Sequence, residues 1–139
     1  MSYTPKYFSV KELVHPDIYN KFRERSLMFF DTKILWTADK LRERYGKAII
    51  NTWASGGNRS YSGLRPFDSR IGASYSTHKF GKAVDILFEK ATAHEIRVDM
   101  KRFSELECFS KITRCEDGVS WLHVDVANIE HAGILFFKP

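Results

Sequence analysis

The stretch Ser76-Thr-His-Lys-Phe-Gly-Lys-Ala-Val-Asp85 sets a histidine seven residues before an aspartate, with Gly81 between them. Imidazole nitrogen and carboxylate oxygen are both zinc ligands. Gly81 allows the turn that would bring His78 and Asp85 to one point, because glycine reaches backbone angles other residues avoid. A second stretch, Val119-Ser-Trp-Leu-His-Val-Asp-Val126, alternates as a strand. Leu122, Val124 and Val126 share one face, and Trp121, His123 and Asp125 the other. A lone strand histidine is more often structural than a ligand, but this one shares its face with an aspartate and a tryptophan. His78, Asp85 and His123 would give three ligands and leave a fourth tetrahedral position for water, the pattern of a catalytic zinc.

Such a site needs a general base. Asp117-Gly118 reads as a two-residue hairpin turn. Pairing across it sets Glu116 opposite Val119, Arg114 opposite Trp121 and Ile112 opposite His123, so Glu116 falls on the His123 face. Glu116 is the first candidate base and Asp117, in the turn, the second. The competing reading of Glu116 is a solvated hairpin residue paired with Arg114. Asp125 has the position to orient a ligand histidine as an acceptor, although a plain strand-end carboxylate fits equally well. Ser76 reads as a hydrogen-bonding residue that shapes the ligand loop, since no base is placed to make it a nucleophile.

The elements that must position these residues are legible in outline. Ser9-Val-Lys-Glu12 is a capping box opening a short helix to about Val14. Pro16 opens a second, to about Arg25. Asp31 caps a third, Thr32 to Tyr45, whose apolar positions Ile34, Leu35, Ala38, Leu41 and Tyr45 share one face before Gly46 stops it. Ala48 to Trp53 reads as a strand, and Ala54 to Ser74 as a long loop of the kind that is usually functional or disordered. Ala83 to Phe88 is a strand carrying Asp85. Thr92-Ala-His-Glu95 caps a helix to about Phe103, with Ile96, Met100 and Phe103 as its apolar face. Strands follow at Lys111–Glu116, Val119–Val126 and Gly133–Phe137. This order predicts one α+β domain over residues 1–139, a small, mostly antiparallel sheet with the N-terminal helices packed on it.

The net charge of +5 favours anionic partners such as nucleic acid, anionic lipid or a cell-wall polymer. The positive residues are scattered, Arg23, Arg25, Arg42 and Arg44 beside acidic neighbours, and no nucleic-acid motif accompanies them. No nucleic-acid or membrane partner is therefore expected, and a monomer is. Cys108 and Cys115 lack metal-site spacing and read as reduced thiols, with a bridge between them left open. The N-terminus has no signal-peptide pattern, and no apolar run approaches a bilayer span. The expectation is synthesis in a cytoplasm, with any action outside it depending on release.

Ser76-x-His78-x-x-Gly81-x-Ala83-x-Asp85, followed by Trp121-x-His123-x-Asp125, resembles the M15 family of zinc peptidases. These include D-Ala-D-Ala carboxypeptidases and phage endolysins that cut peptidoglycan stem peptides, and they share a fold with the hedgehog signalling domain. The resemblance implies zinc on His78, Asp85 and His123, a hedgehog-like fold, and a peptidoglycan peptide as substrate. It also implies a phage or prophage origin, with action at the wall after release or as a virion component. Ser62-Gly-Leu-Arg65 resembles the family's Ser-Gly-x-Arg segment, which makes Arg65 a residue that holds a substrate carboxylate. Many members carry their catalytic acid three residues before the last zinc histidine. Here that position is Ser120, so the base is Glu116 or Asp117, or it is absent. A chain of this kind without a base would be a zinc-stabilised wall-binding or virion structural module.

Overall fold

The computed structural model describes residues 2–139. Both capping-box bonds form at α1, Val10–Leu13: Ser9 accepts from the Glu12 amide and the Glu12 carboxylate accepts from the Ser9 amide. Pro16 opens α2, Pro16–Phe22, and His15 caps it by accepting from the Asp17 amide through Nδ1. The expected continuation to Arg25 is instead a 3-10 stretch, Arg23–Phe29, entered through Arg23 at a φ of 53°. α3 runs Thr32–Tyr45, with the predicted cap at Asp31 and stop at Gly46. Ile34, Leu35, Ala38 and Leu41 are buried along it, and each of its buried Leu or Ile side chains contributes about 1.5–3 kcal/mol by leaving water. Tyr45 is half-buried and its hydroxyl donates to Asp99 of α4, Ala93–Arg102, at 2.7 Å.

Five strands form one sheet in the order β1-β2-β4-β3-β5: β1 Ala48–Ile49, β2 Ala83–Phe88, β3 Arg114–Glu116, β4 Leu122–Asp125 and β5 Leu135–Phe137. The α+β class stands, but the sheet is mixed rather than mostly antiparallel. β2 and β3 occupy both edges of β4, so β5 pairs with β3, and it does so in parallel. β1 is shorter than the predicted strand because Thr52 and Trp53 both donate to the Arg59 carbonyl, turning the chain out of the sheet. Phe103 is 39% exposed at the end of α4, and the buried face of that helix is Ala93, Ile96, Arg97 and Met100. Cys108 and Cys115 are both buried and free. No helix among the described residues is long and apolar enough to cross a membrane.

The β3–β4 register differs from the two-residue turn predicted at Asp117-Gly118. Arg114 lies opposite Asp125 rather than Trp121, and Cys115 opposite Val124, a shift of four residues. The strands are joined by a longer loop, and buried Arg97 on α4 holds it by donating to the Val119 and Trp121 carbonyls. An even shift keeps every side chain on its predicted face.

Val84 and Ile86 of β2, with Leu122 and Val124 of β4, pack in one hydrophobic cluster with α3 and α4. Asp85, His123 and Asp125 alternate with them on the other side of the same two strands. The sheet thus separates the hydrophobic core from the candidate ligands Asp85 and His123 and from Asp125.

Candidate metal centre

Asp85 and His123 are directly opposite each other in the antiparallel β2–β4 pair. His78 reaches them from a 3-10 turn, Thr77–Phe80, capped by Ser76, whose hydroxyl accepts from the His78 amide. Gly81 closes that turn at a φ of 67°, and a Cβ there would collide with the Phe29 carbonyl oxygen. Glycine is therefore required on two counts, conformation and space. A strap, Ser62–Arg65, passes behind. Leu64 exchanges backbone bonds with Leu13 and His15, Asn51 Oδ1 accepts from the Ser62 amide, and Ser62 accepts from the Asp85 amide at 2.7 Å. The strap runs so close to α1 that a Cβ on Gly63 would overlap the Leu13 carbonyl.

The three ligand atoms form a tight triangle. His78 Nε2 lies 3.2 Å from Asp85 Oδ1 and 3.2 Å from His123 Nδ1, and His123 Nδ1 lies 2.8 Å from Asp85 Oδ1. A tetrahedral site with metal–ligand bonds of about 2.0–2.1 Å has edges of about 3.3 Å. Two edges match, and the third needs a widening of a few tenths of an ångström. All three side chains are buried.

The tautomers follow from the remaining nitrogens. His78 Nδ1 lies 2.9 Å from the Gly63 carbonyl and His123 Nε2 3.0 Å from Asp125 Oδ2. Carbonyl and carboxylate oxygens only accept, so both of those nitrogens carry hydrogen. His78 Nε2 and, in its neutral form, His123 Nδ1 are then lone-pair donors aimed at each other and at Asp85. Three acceptors in one place repel unless a cation or proton sits among them. This donor set fits a divalent metal. Without one the protein recruits a proton: burial pushes His123 down, but hydrogen bonds to Asp125 and Asp85 outweigh it and raise its pKa to about 9. Burial likewise opposes the charge on Asp85, yet the neighbouring histidines hold its pKa well below the usual carboxylate range.

Asp125 is fully buried and does more than orient His123. It also accepts from Arg114 through Nε at 3.0 Å and Nη2 at 2.8 Å, and from Thr77 Oγ1 at 3.3 Å. Carboxylates behind ligating histidines fix ring orientation and raise ligand basicity.

A cavity of about 440 Å³ opens over the triangle. Its walls include Arg65, Arg114, Glu116 and Trp121, together with Ile71 from the long loop and Tyr75 just after it. Glu116 Oε2 stands 4.0 Å from His123 Nδ1. Asp117 does not reach the cavity. Its carboxylate turns to α4, pairing with Arg97 at 3.5 Å and Lys101 at 3.8 Å. Arg65 reaches Asp85 Oδ2 at 3.6 Å, with its Nε donating to the Tyr61 carbonyl and Nη1 near Ser76 Oγ at 3.4 Å. Burial lowers its pKa from the usual guanidinium value, and Asp85 and Glu116 oppose that shift. Ser76 serves both His78 and Arg65 as a hydrogen-bonding residue of the ligand loop.

Sequence reasoning missed Thr77, Arg114 and the Gly63 carbonyl as supports of the ligands, and Arg97 as the clamp on the β3–β4 loop. Arg97 left a signal, since it shares the spacing of Ala93 and Met100 on the buried face of α4. The partners of Asp125 left none, because they depend on the register. Comparison with known proteins finds no matching family model, no matching curated relative and no matching solved structure.

Proposed function

We propose that the protein is a zinc-dependent peptidase of the M15 family, with the hedgehog-type fold of that family, hydrolysing bacterial peptidoglycan stem peptides. The observation that carries this reading is the placement of Glu116. A carboxylate stands 4.0 Å from a ligand nitrogen, on the wall of the cavity that opens over a three-ligand set. Bound at His78, Asp85 and His123, zinc supplies Lewis acidity toward the scissile carbonyl and the attacking water. Glu116 takes the proton of that water and returns it to the leaving amine nitrogen. Arg65 offers a cation beside the ligands for a substrate carboxylate. His78 and His123 keep their lone pairs on the reaction side because Gly63 and Asp125 hold their other nitrogens.

A second reading draws on the same distance. Glu116 is near enough to His123 to close the coordination as a fourth protein ligand after a side-chain rotation, and closed sites are structural. The protein would then be a zinc-stabilised wall-binding or virion module. Digestion of purified walls, with mass analysis of released peptides, separates the two. The peptidase releases peptides, loses activity in His78→Ala and under chelation, and loses it in Glu116→Ala with zinc retained. Activity indifferent to chelators and to His78→Ala would sink the zinc chemistry. Zinc binding with no cleavage of any wall type would favour the structural module.

A further inference from the structure

The cavity presents two guanidinium groups, and the proposed function uses only Arg65. Arg114 comes from the other side of the ligand set. Arg65 stands on Asp85 of β2, Arg114 belongs to β3, and β4 with His123 lies between these strands. The Arg114 side chain is 26% exposed while its partner Asp125 is fully buried. Two of its nitrogens, Nε and Nη2, are fixed on Asp125 at 2.8–3.1 Å, and the guanidinium lies 4.6 Å from the Phe137 ring centroid. Its third nitrogen, Nη1, has no hydrogen-bond partner among the described residues. A planar guanidinium locked by a carboxylate and an aromatic ring, with one edge left over, is a pre-organised anion receptor.

Charge points the same way. Around the triangle stand Arg65 and Arg114 against Asp85, Glu116 and Asp125. A divalent metal at the triangle leaves the site net positive, so an anion is favoured there over a neutral group.

We propose that Arg114 is a second anion-binding arm of this cavity, and that the ligand it serves is doubly anionic, with one carboxylate toward Arg65 and the metal and another toward Arg114. The assignment rests on the metal site proposed above and narrows its substrate class to peptides carrying two carboxylates near the scissile bond.

The test compares glutarate, a dianion, with glutaramate, which has the same length and a single carboxylate. Each is titrated by calorimetry into the cobalt-substituted protein, and the visible spectrum reports the ligand set. Glutarate is expected to bind at least about tenfold tighter than glutaramate, as one added charge-assisted pair implies. In Arg114→Gln the preference should fall to within about twofold in protein that still binds cobalt. Arg114→Lys keeps a charge beside Asp125 if the glutamine variant fails to fold, and it too should lose the preference, because an ammonium cannot hold Asp125 and reach outward in a fork. A wild-type ratio near one would overturn the proposal. So would a preference that survives both substitutions, or a loss that weakens both probes equally, which would make Arg114 only a support for Asp125. The measurement reads no turnover, so a protein that cleaves no wall peptide counts against the peptidase reading alone.

Discussion

Each histidine of the candidate centre has one nitrogen committed to an acceptor behind it, and that commitment decides which nitrogen would face a metal. For His123 the acceptor is Asp125, so removing the charge at Asp125 should act at a distance on the metal. Asp125→Asn is expected to weaken zinc binding by about 10–100-fold, the usual effect of losing a carboxylate behind a ligating histidine. Competition with a chromogenic chelator measures it. An unchanged affinity would show that the Gly63 carbonyl and the strands alone orient the ligands. Glu116 should behave oppositely. Glu116→Gln keeps size and hydrogen bonding but cannot accept the proton. Turnover of wall peptides is expected to fall by about 10²–10⁴-fold while zinc affinity stays within a few-fold of wild type. If zinc affinity collapses as well, Glu116 is a ligand and the structural reading gains.

At the scale of elements, the 3-10 turn that carries His78 depends on backbone space more than on any side chain. Gly81 sits at positive φ against the Phe29 carbonyl. Gly81→Ala should therefore cost more than the roughly 1–3 kcal/mol of the strained φ alone, because the Cβ also meets backbone; chemical denaturation reads the loss, and zinc affinity should fall because His78 moves with the turn. Full retention of both would mean the turn has slack the geometry does not show. Elements of this kind were legible in the sequence to different degrees. Helix α3 could be read to the residue, because Asp31, Gly46 and the apolar spacing are local signals. The turn at Gly81 and the two faces of β4 were legible for the same reason. The β3–β4 register was not. It is set by Arg97, more than twenty residues from the carbonyls it holds, and by the direct pairing of β4 with its other neighbour, β2. The triad survived the error because the shift was even, so Glu116 stayed on the His123 face. What could not be read was contact across the sheet: that Asp85 opposes His123 directly, and that Arg114 lands on Asp125.

For the whole molecule, the metal triangle and the fold should stabilise each other, because the triangle ties β2, β4 and the Thr77–Phe80 turn together. Zinc at about 100 times its Kd adds about 2.7 kcal/mol, which for a chain of this size raises the Tm by roughly 10 °C. The pH dependence separates metal from proton. In the zinc-free protein His123 is raised to about 9 from an ordinary 6.5. A raised histidine adds stability that is fully present below pH 6.5 and lost as pH climbs through about 9. No other ligand titrates in that window: burial, the largest influence, keeps His78 below its ordinary value, and the neighbouring histidines keep Asp85 ionised. The buried Cys115 thiol is pushed up to about 12 and stays protonated. The Tm of the zinc-free protein should accordingly fall between pH 6.5 and 9. Bound zinc would take the place of the His123 proton, so the loaded protein would lack that loss, and zinc binding itself would release the proton at low pH. The gap in Tm between zinc-loaded and EDTA-treated protein is expected to widen steadily from pH 6.5 to 9 in calorimetric scans. A gap that stays constant or narrows over that range would mean that the proton on His123 and the metal do not compete for the same lone pair, and the three-ligand assignment would fail with it.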